Sequence, residues 1–249
     1  MREKIQIEDL RKSFADKVVL AGVDLSVREG EVLCVIGRSG SGKSVILKHL
    51  IGLLAPDSGT IHIDGLEFTG ANERERHAAL AKIGVLFQWA ALFDSMNIFD
   101  NVAFGLRRRG IPEDEISRTV PEMLSLVGLR GINERMPSEI SGGMQKRVGL
   151  ARAVALKPQI VLYDEPTTGV DPITAGAVDR LILKMRDTLG VTSVVVTHDM
   201  KSAWHIADRI AMLLDGRIAF LGTVDELRAA EDPFITQFIE GRANGPRVT

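Results

Sequence analysis

Apolar and polar positions along the chain change their period several times. Through roughly the first 70 positions, short apolar runs at Ile5–Leu10, Val18–Val27, Val32–Ile36 and Ile61–Ile63 read as strands. Arg28-Glu29-Gly30 and Asp64-Gly65 punctuate them as turns. Val32–Ile36 is apolar without alternation, the pattern of a strand covered on both faces. A glycine-rich turn follows it, and then Lys43–Leu54 takes up helical periodicity, giving a strand–loop–helix unit. From about residue 95 to 157 the pattern is helical. Pro112-Glu113-Asp114-Glu115 is a helix start, and Ile116–Val127 continues it past Pro121 to a stop at Gly128. A second helix opens at Ser141, runs through Leu156 and closes at Lys157-Pro158. Apolar strands are predicted again at Ile160–Tyr163 and Val194–Thr197, with a helix over Ala175–Leu189 between them. Ile210–Leu214 and Ile218–Leu221, joined at Asp215-Gly216, read as a hairpin.

Composition adds bounds rather than chemistry. The 249 residues suit one domain, or one core with an inserted subdomain, and 45% hydrophobic residues supply a sizeable core. A net charge of −2 gives no overall electrostatic reason to expect nucleic-acid binding, and Arg107-Arg108-Arg109 reads as a solvated helix end. A single cysteine, Cys34, rules out an internal disulfide framework, and its apolar setting makes it a core side chain. The N-terminal segment is too charged for a secretory signal, and no stretch approaches the ~20 apolar residues of a spanning helix. A membrane role would therefore run through a partner.

Gly37-Arg38-Ser39-Gly40-Ser41-Gly42-Lys43-Ser44 fits G-x-x-x-x-G-K-[ST] at every fixed position. Glycines let backbone N–H groups curl around phosphate oxygens, and the following helix offers its positive end. Lys43 would bridge the β- and γ-phosphates and Ser44 would ligate Mg²⁺. By average residue usage, a chance match in a chain this long is on the order of one per cent. Asp164, at the C-terminal tip of Ile160-Val161-Leu162-Tyr163, can orient Mg²⁺. Glu165 beside it is placed to activate water.

Ile140-Ser141-Gly142-Gly143-Met144-Gln145 resembles the L-S-G-G-Q signature of ABC ATPases, with Ile140 for Leu and Met144 for Gln. The rest of that family's pattern appears in order: Phe14 at the adenine-stacking position, Gln88 at the Q-loop, Asp171 at the D-loop and His198 at the switch histidine. The resemblance spans about residues 4 to 240. It implies an α/β P-loop NTPase of ABC ATPase type: a mostly parallel core sheet with an N-terminal antiparallel β subdomain and an inserted α-helical subdomain at about 95–157, all within a single nucleotide-binding domain over 1–249. It further implies ATP and Mg²⁺ as cofactors, with Ser44, Gln88 and Asp164 at the metal and Lys43, Gln88, Glu165 and His198 catalytic. Ser141, Gly142, Gly143 and Asp171 would meet the nucleotide held by a second copy in a head-to-tail dimer.

Within the family, Phe87-Gln88-Trp89-Ala90-Ala91-Leu92-Phe93-Asp94-Ser95-Met96, the Ser141-Gly142-Gly143-Met144 variant, Gly169–Thr174 and the tail Gln237–Gly241 resemble the Mla (maintenance of lipid asymmetry) group of phospholipid-transport ATPases. That resemblance implies an integral membrane permease, a periplasmic MCE-type lipid-binding subunit and a small STAS-domain protein as partners, with no nucleic acid. It places the chain peripherally on the cytoplasmic face of a bacterial inner membrane. Such ATPases can extend C-terminally to grasp the neighbouring copy, and here little follows Gly241. An ABC ATPase for another cargo, a non-transport ABC protein and a weakly hydrolysing regulator remain open alternatives. Trp89 and Trp204 are expected to be packing residues, and His49, His62, His77 and His205 to be ordinary ones.

Overall fold

Two strands that alternate apolar and polar positions must put one face against a core. Glu3–Phe14 (β1) and Lys17–Arg28 (β2) do so as an antiparallel pair. Val32–Ile36 (β3) leaves that sheet for a second one, and Lys43–Leu50 (α1) follows it. Ser58–Ile63 (β4) and Leu66–Glu67 (β5) return to the first sheet, whose order is β2-β1-β4-β5. The computed structural model describes residues 2–241, and the expectation about the chain beyond Gly241 lies outside them.

Glu73–Leu80 (α2) leads into Ile83–Leu86 (β6), and then come Ile98–Arg108 (α3), Glu113–Leu126 (α4) and Gly142–Val154 (α5), which pack on one another. Ile160–Asp164 (β7), Pro172–Leu189 (α6), Thr192–Thr197 (β8), Met200–Ile206 (α7), Arg209–Leu214 (β9) and Arg217–Thr223 (β10) complete the second sheet and its cover. Val224–Arg228 (α8) and Pro233–Glu240 (α9) end the described chain. The six-stranded sheet runs β10-β9-β3-β8-β7-β6, parallel except for the β9–β10 hairpin. Asp215 and Gly216 both take positive φ, 47° and 73°, as the tight turn of that hairpin requires. The expected mostly parallel core sheet and antiparallel N-terminal sheet are therefore both present. Among the described residues, no helix is long and apolar enough to cross a membrane.

The continuous apolar strands serve two cores at once. Cys34, Ile36, Val161, Tyr163 and Val195 point into a cluster with α3 to α7, whereas Leu33, Val35, Leu162, Val194 and Val196 point toward α1 and the antiparallel sheet. Burying both faces of β3, β7 and β8 fixes where their C-terminal tips end, and those tips carry the chemistry.

Several boundaries differ from the sequence reading for local reasons. α1 stops at Leu50 rather than Leu54 because the chain turns at Gly52 (φ 69°) and the Leu53 and Leu54 N–H groups both fall back on the Lys48 carbonyl. β1 extends from Glu3 to Phe14 through register shifts around Asp9, whose φ is 44°. α6 begins at Pro172 rather than Ala175 because Asp171 caps it. α2 carried no apolar stripe by which to be foreseen, since Ala79 is its one buried residue.

β6 lies so close to α5 that a Cβ on Gly84 would stand 2.3 Å from the Ala153 carbonyl oxygen. Gly84→Ala is therefore expected to destabilise the fold by about 1–3 kcal/mol, the usual cost of overpacking against backbone. Chemical denaturation of the two proteins side by side measures it, and unchanged stability would mean that β6 and α5 can separate freely.

Candidate nucleotide site

β3 ends at Ile36, and the chain then wraps into a loop whose glycines are required by geometry. Gly37 (φ 155°) would put a Cβ 2.5 Å from the Leu213 carbonyl oxygen, and Gly42 (φ 107°) has the Val19 and Leu20 side chains 3.0–3.1 Å from the same point. The loop delivers Lys43 and Ser44 to the first turn of α1. Lys43 Nζ donates to the carbonyls of Gly37 (2.8 Å) and Arg38 (3.0 Å) and lies 3.9 Å from Glu165 Oε1. Burial lowers the Lys43 pKa, opposed by attraction to Glu165 and Asp164. Ser41 Oγ is buried within the loop without a hydrogen-bond partner, so a phosphate oxygen placed there would satisfy it.

The tips of β7 and β8 face this loop. Ser44 Oγ donates to Asp164 Oδ1 at 2.7 Å. Glu165 is 9% exposed and adopts φ 50°, a left-handed conformation that costs a non-glycine residue strain and re-aims its side chain past the strand end. Its Oε2 lies 2.7 Å from His198 Nδ1 and accepts from Thr168 Oγ1 at 3.1 Å. Its own N–H donates to the Val196 carbonyl, tying the turn to β8. Phe14, Ser39, Gly40, Gly42, Lys43, Ser44, Gln88, Glu165 and His198 line one open cavity of about 370 Å³. Residues widely separated in sequence thus converge where open α/β sheets bind ligands, beyond the carboxyl ends of the strands. Arg38 and Ser41 line an adjoining groove with Lys17 and Gly216.

Ser141, Gly142, Gly143 and Asp171 lie outside that cavity. Ser141 caps α5, its Oγ accepting from Met144 N, and Asp171 caps α6, accepting from the backbone of Ile173 and Thr174 and from the Thr174 hydroxyl at 2.6 Å. The two caps adjoin, since a Cβ on Gly143 would stand 2.5 Å from Thr174 Cγ2. The chain therefore presents a pocket and, apart from it, a second surface built on two helix starts.

Three supporting residues escaped the sequence reading. Lys146, buried on α5, donates to the carbonyls of Pro166 (2.9 Å) and Glu165 (3.4 Å). Arg152, from the same helix, donates to the carbonyls of Ala90 (2.6 Å) and Ala91 (2.7 Å), where two consecutive non-glycine residues take φ 59° and 48°. Asn101 of α3, fully buried, accepts from Phe93 N and donates to the carbonyls of Phe93, Met96 and Asn97, so the loop carrying Gln88 is held from two helices. A signal was present: Lys146 shares a helix face with the apolar Leu150 and Val154. Trp89 corrects the expectation of packing, because it is 74% exposed. Trp204 is half-buried and stacks under Arg228 at 5.0 Å.

Comparison with known proteins agrees with this geometry. A family profile described as ABC transporter matches residues 20–168. The chain is 42% identical to the probable ribonucleotide transport ATP-binding protein mkl of Mycobacterium tuberculosis, covering 99% of this chain and 69% of that protein. It is 39% identical to the intermembrane phospholipid transport system ATP-binding protein MlaF of Escherichia coli, covering 97% and 90%. Among solved structures, the dimeric ATP-binding cassette MJ0796 bound to ADP and Pi is similar at 30% identity and a TM-score of 0.80, covering 88% of this chain and 98% of that one. Its nucleotide pocket, fold and relatives together make this chain an ATP-binding, ATP-hydrolysing member of the ABC transporter family.

Proposed function

We propose that this ATPase drives phospholipid movement between membranes, as a head-to-tail dimer bound to a membrane permease on the cytoplasmic face of a bacterial inner membrane. The observation that carries the chemistry is the convergence of Lys43, Ser44, Glu165 and His198 on one pocket, with Asp164 hydrogen-bonded to Ser44 at its edge. For the cargo, support comes from the 39% identity to MlaF over nearly the whole chain and from the Gln88 loop and signature variant noted in the sequence. An MCE-type lipid-binding subunit and a small STAS-domain protein complete the proposed assembly.

ATP would sit with its base on Phe14 and its phosphates along Gly37–Ser44. Ser44 Oγ and Asp164 Oδ1 are hydrogen-bonded, and Gln88 lines the same cavity as Ser44. These few hard oxygen donors fit Mg²⁺, which takes little from protein when phosphate oxygens supply the rest. Once bound, that ion would neutralise charge on the β- and γ-phosphates. Glu165, aimed by its left-handed backbone and hydrogen-bonded to Thr168, would orient water toward the γ-phosphate and accept its proton. His198, held against Glu165, would position that carboxylate and contact the γ-phosphate. Because Ser141, Gly142, Gly143 and Asp171 lie off the pocket, a second copy must bring them, which supports the sandwich dimer, and the solved dimeric relative accords with it. ATP bound between two chains favours the closed pair, and hydrolysis releases it.

Replacing Glu165 by Gln keeps the shape and removes the base. Turnover is expected to fall by roughly a hundred-fold or more, while ATP-bound dimers accumulate in size-exclusion chromatography. Full turnover in that variant would overturn the role of Glu165. The assembly is tested by mild-detergent purification of the tagged chain from its host with mass spectrometry of proteins and lipids. Co-purification of a polytopic permease, an MCE-type subunit and glycerophospholipid is the expected result. A different permease without lipid would overturn the cargo.

A further inference from the structure

Outside the pocket, three polar side chains lie in a row under the start of α7. Asp179, on the inner face of α6, is 5% exposed, and its Oδ1 is buried with no hydrogen-bond partner. Its carboxyl lies near enough to the buried Ser202 hydroxyl of α7 for that hydroxyl to bear on its ionisation. The same hydroxyl donates to Asp199 Oδ2 at 3.1 Å. Asp199 is the cap of α7: its Oδ1 accepts from the N–H groups of Lys201 and Ser202, and its own N–H donates to Thr197 Oγ1 at 2.9 Å. His198 is the residue between Thr197 and Asp199, so whatever fixes Asp199 fixes the backbone from which the His198 ring reaches Glu165.

A hydroxyl has one proton to give and can also accept. Two ionised carboxylates on Ser202 would compete for that proton, and one of them would sit buried, charged and unsatisfied. If Asp179 carries a proton instead, its O–H donates to Ser202 Oγ, the Ser202 proton goes to Asp199, and the row is satisfied in one direction. We propose that Asp179 is held as the neutral acid and, through Ser202 and Asp199, acts as a positioning residue for His198. This rests on the catalytic reading of His198 given above.

The surroundings favour the neutral form. Burial raises the Asp179 pKa, the Ser202 hydrogen bond lowers it, the Asp199 charge raises it, and His205 of α7 and Arg180 of its own helix lower it. The Cys34 thiol of β3 is near enough to feel its charge, and β8 carries no charged residue. The bases of α5 are engaged elsewhere, Lys146, Arg147 and Arg152 all donating to carbonyls. A folded pKa above the unfolded one means that folding takes up a proton, so stability contributed here falls as pH rises. Ionisation on the alkaline side sets Asp179 against Asp199 for the single Ser202 proton and loosens the cap.

The test is ATP hydrolysis by the full chain across pH, with thermal melting of each variant as a check on folding. S202A is expected to lower kcat by about ten- to a hundred-fold, the cost of a misplaced catalytic group, with KM for ATP unchanged. D179N keeps an uncharged donor toward Ser202, so it is expected to retain kcat at neutral pH and to lose the alkaline decline of the parent, whereas D179A is expected to behave as S202A does. H198A is run alongside. Normal kcat in H198A would overturn the catalytic reading and the positioning role with it. An inactive H198A beside a fully active S202A would overturn the positioning role alone. D179N as impaired as D179A, or an alkaline limb that persists in D179N, would overturn the neutral acid.

Discussion

A buried ammonium must find acceptors, and in this protein Lys146 finds them in the carbonyls of Glu165 and Pro166. Burial also lowers its pKa, with Glu165 acting in the opposite sense. The turn that follows β7 has a non-glycine residue at positive φ in its first position and would not keep that shape unaided. Lys146 therefore pins the one conformation that sends the Glu165 carboxylate into the pocket. The same helix is capped by Ser141 and, six residues beyond Lys146, gives the Arg152 guanidinium to the Ala90–Ala91 bend. One rigid element thereby sets the orientation of the Glu165 turn, the loop of Gln88 and the surface of Ser141 together.

The parallel sheet was legible because its strands are buried on both faces and read as unbroken apolar runs, as Val32–Ile36 and Ile160–Tyr163 do. The pocket was legible for a related reason. Phosphate chemistry restricts residue type so tightly that Gly37 to Ser44 could hardly be anything else, and Asp164 and Glu165 gain meaning from ending a buried strand. The resemblance to the ABC ATPase pattern also carried Gln88 and His198, and the cavity contains both.

What was not legible depends on contacts between distant segments. Nothing in the local sequence of Asn101 says that it will close four hydrogen bonds with the Phe93–Asn97 segment. α2 is polar almost throughout and shows its helix only through the reciprocal Asn72–Glu75 cap. Trp89 was misjudged because aromatic residues bury themselves on average, and average preference cannot see that a chain forced through two left-handed alanines points its neighbour outward.

The close fit of Gly143 against Thr174 has a mechanical meaning of its own. Thr174 also grips Asp171, and the segment that leads there starts at Glu165. That segment is clamped at one end by Lys146 and the Val196 carbonyl and at the other by the start of α6. A span fixed at both ends has little slack with which to absorb a displacement, so it behaves as a strut. A displacement at the glutamate would be carried outward to the face built by Ser141, Gly143 and Asp171, and pressure on that face would travel inward by the same path.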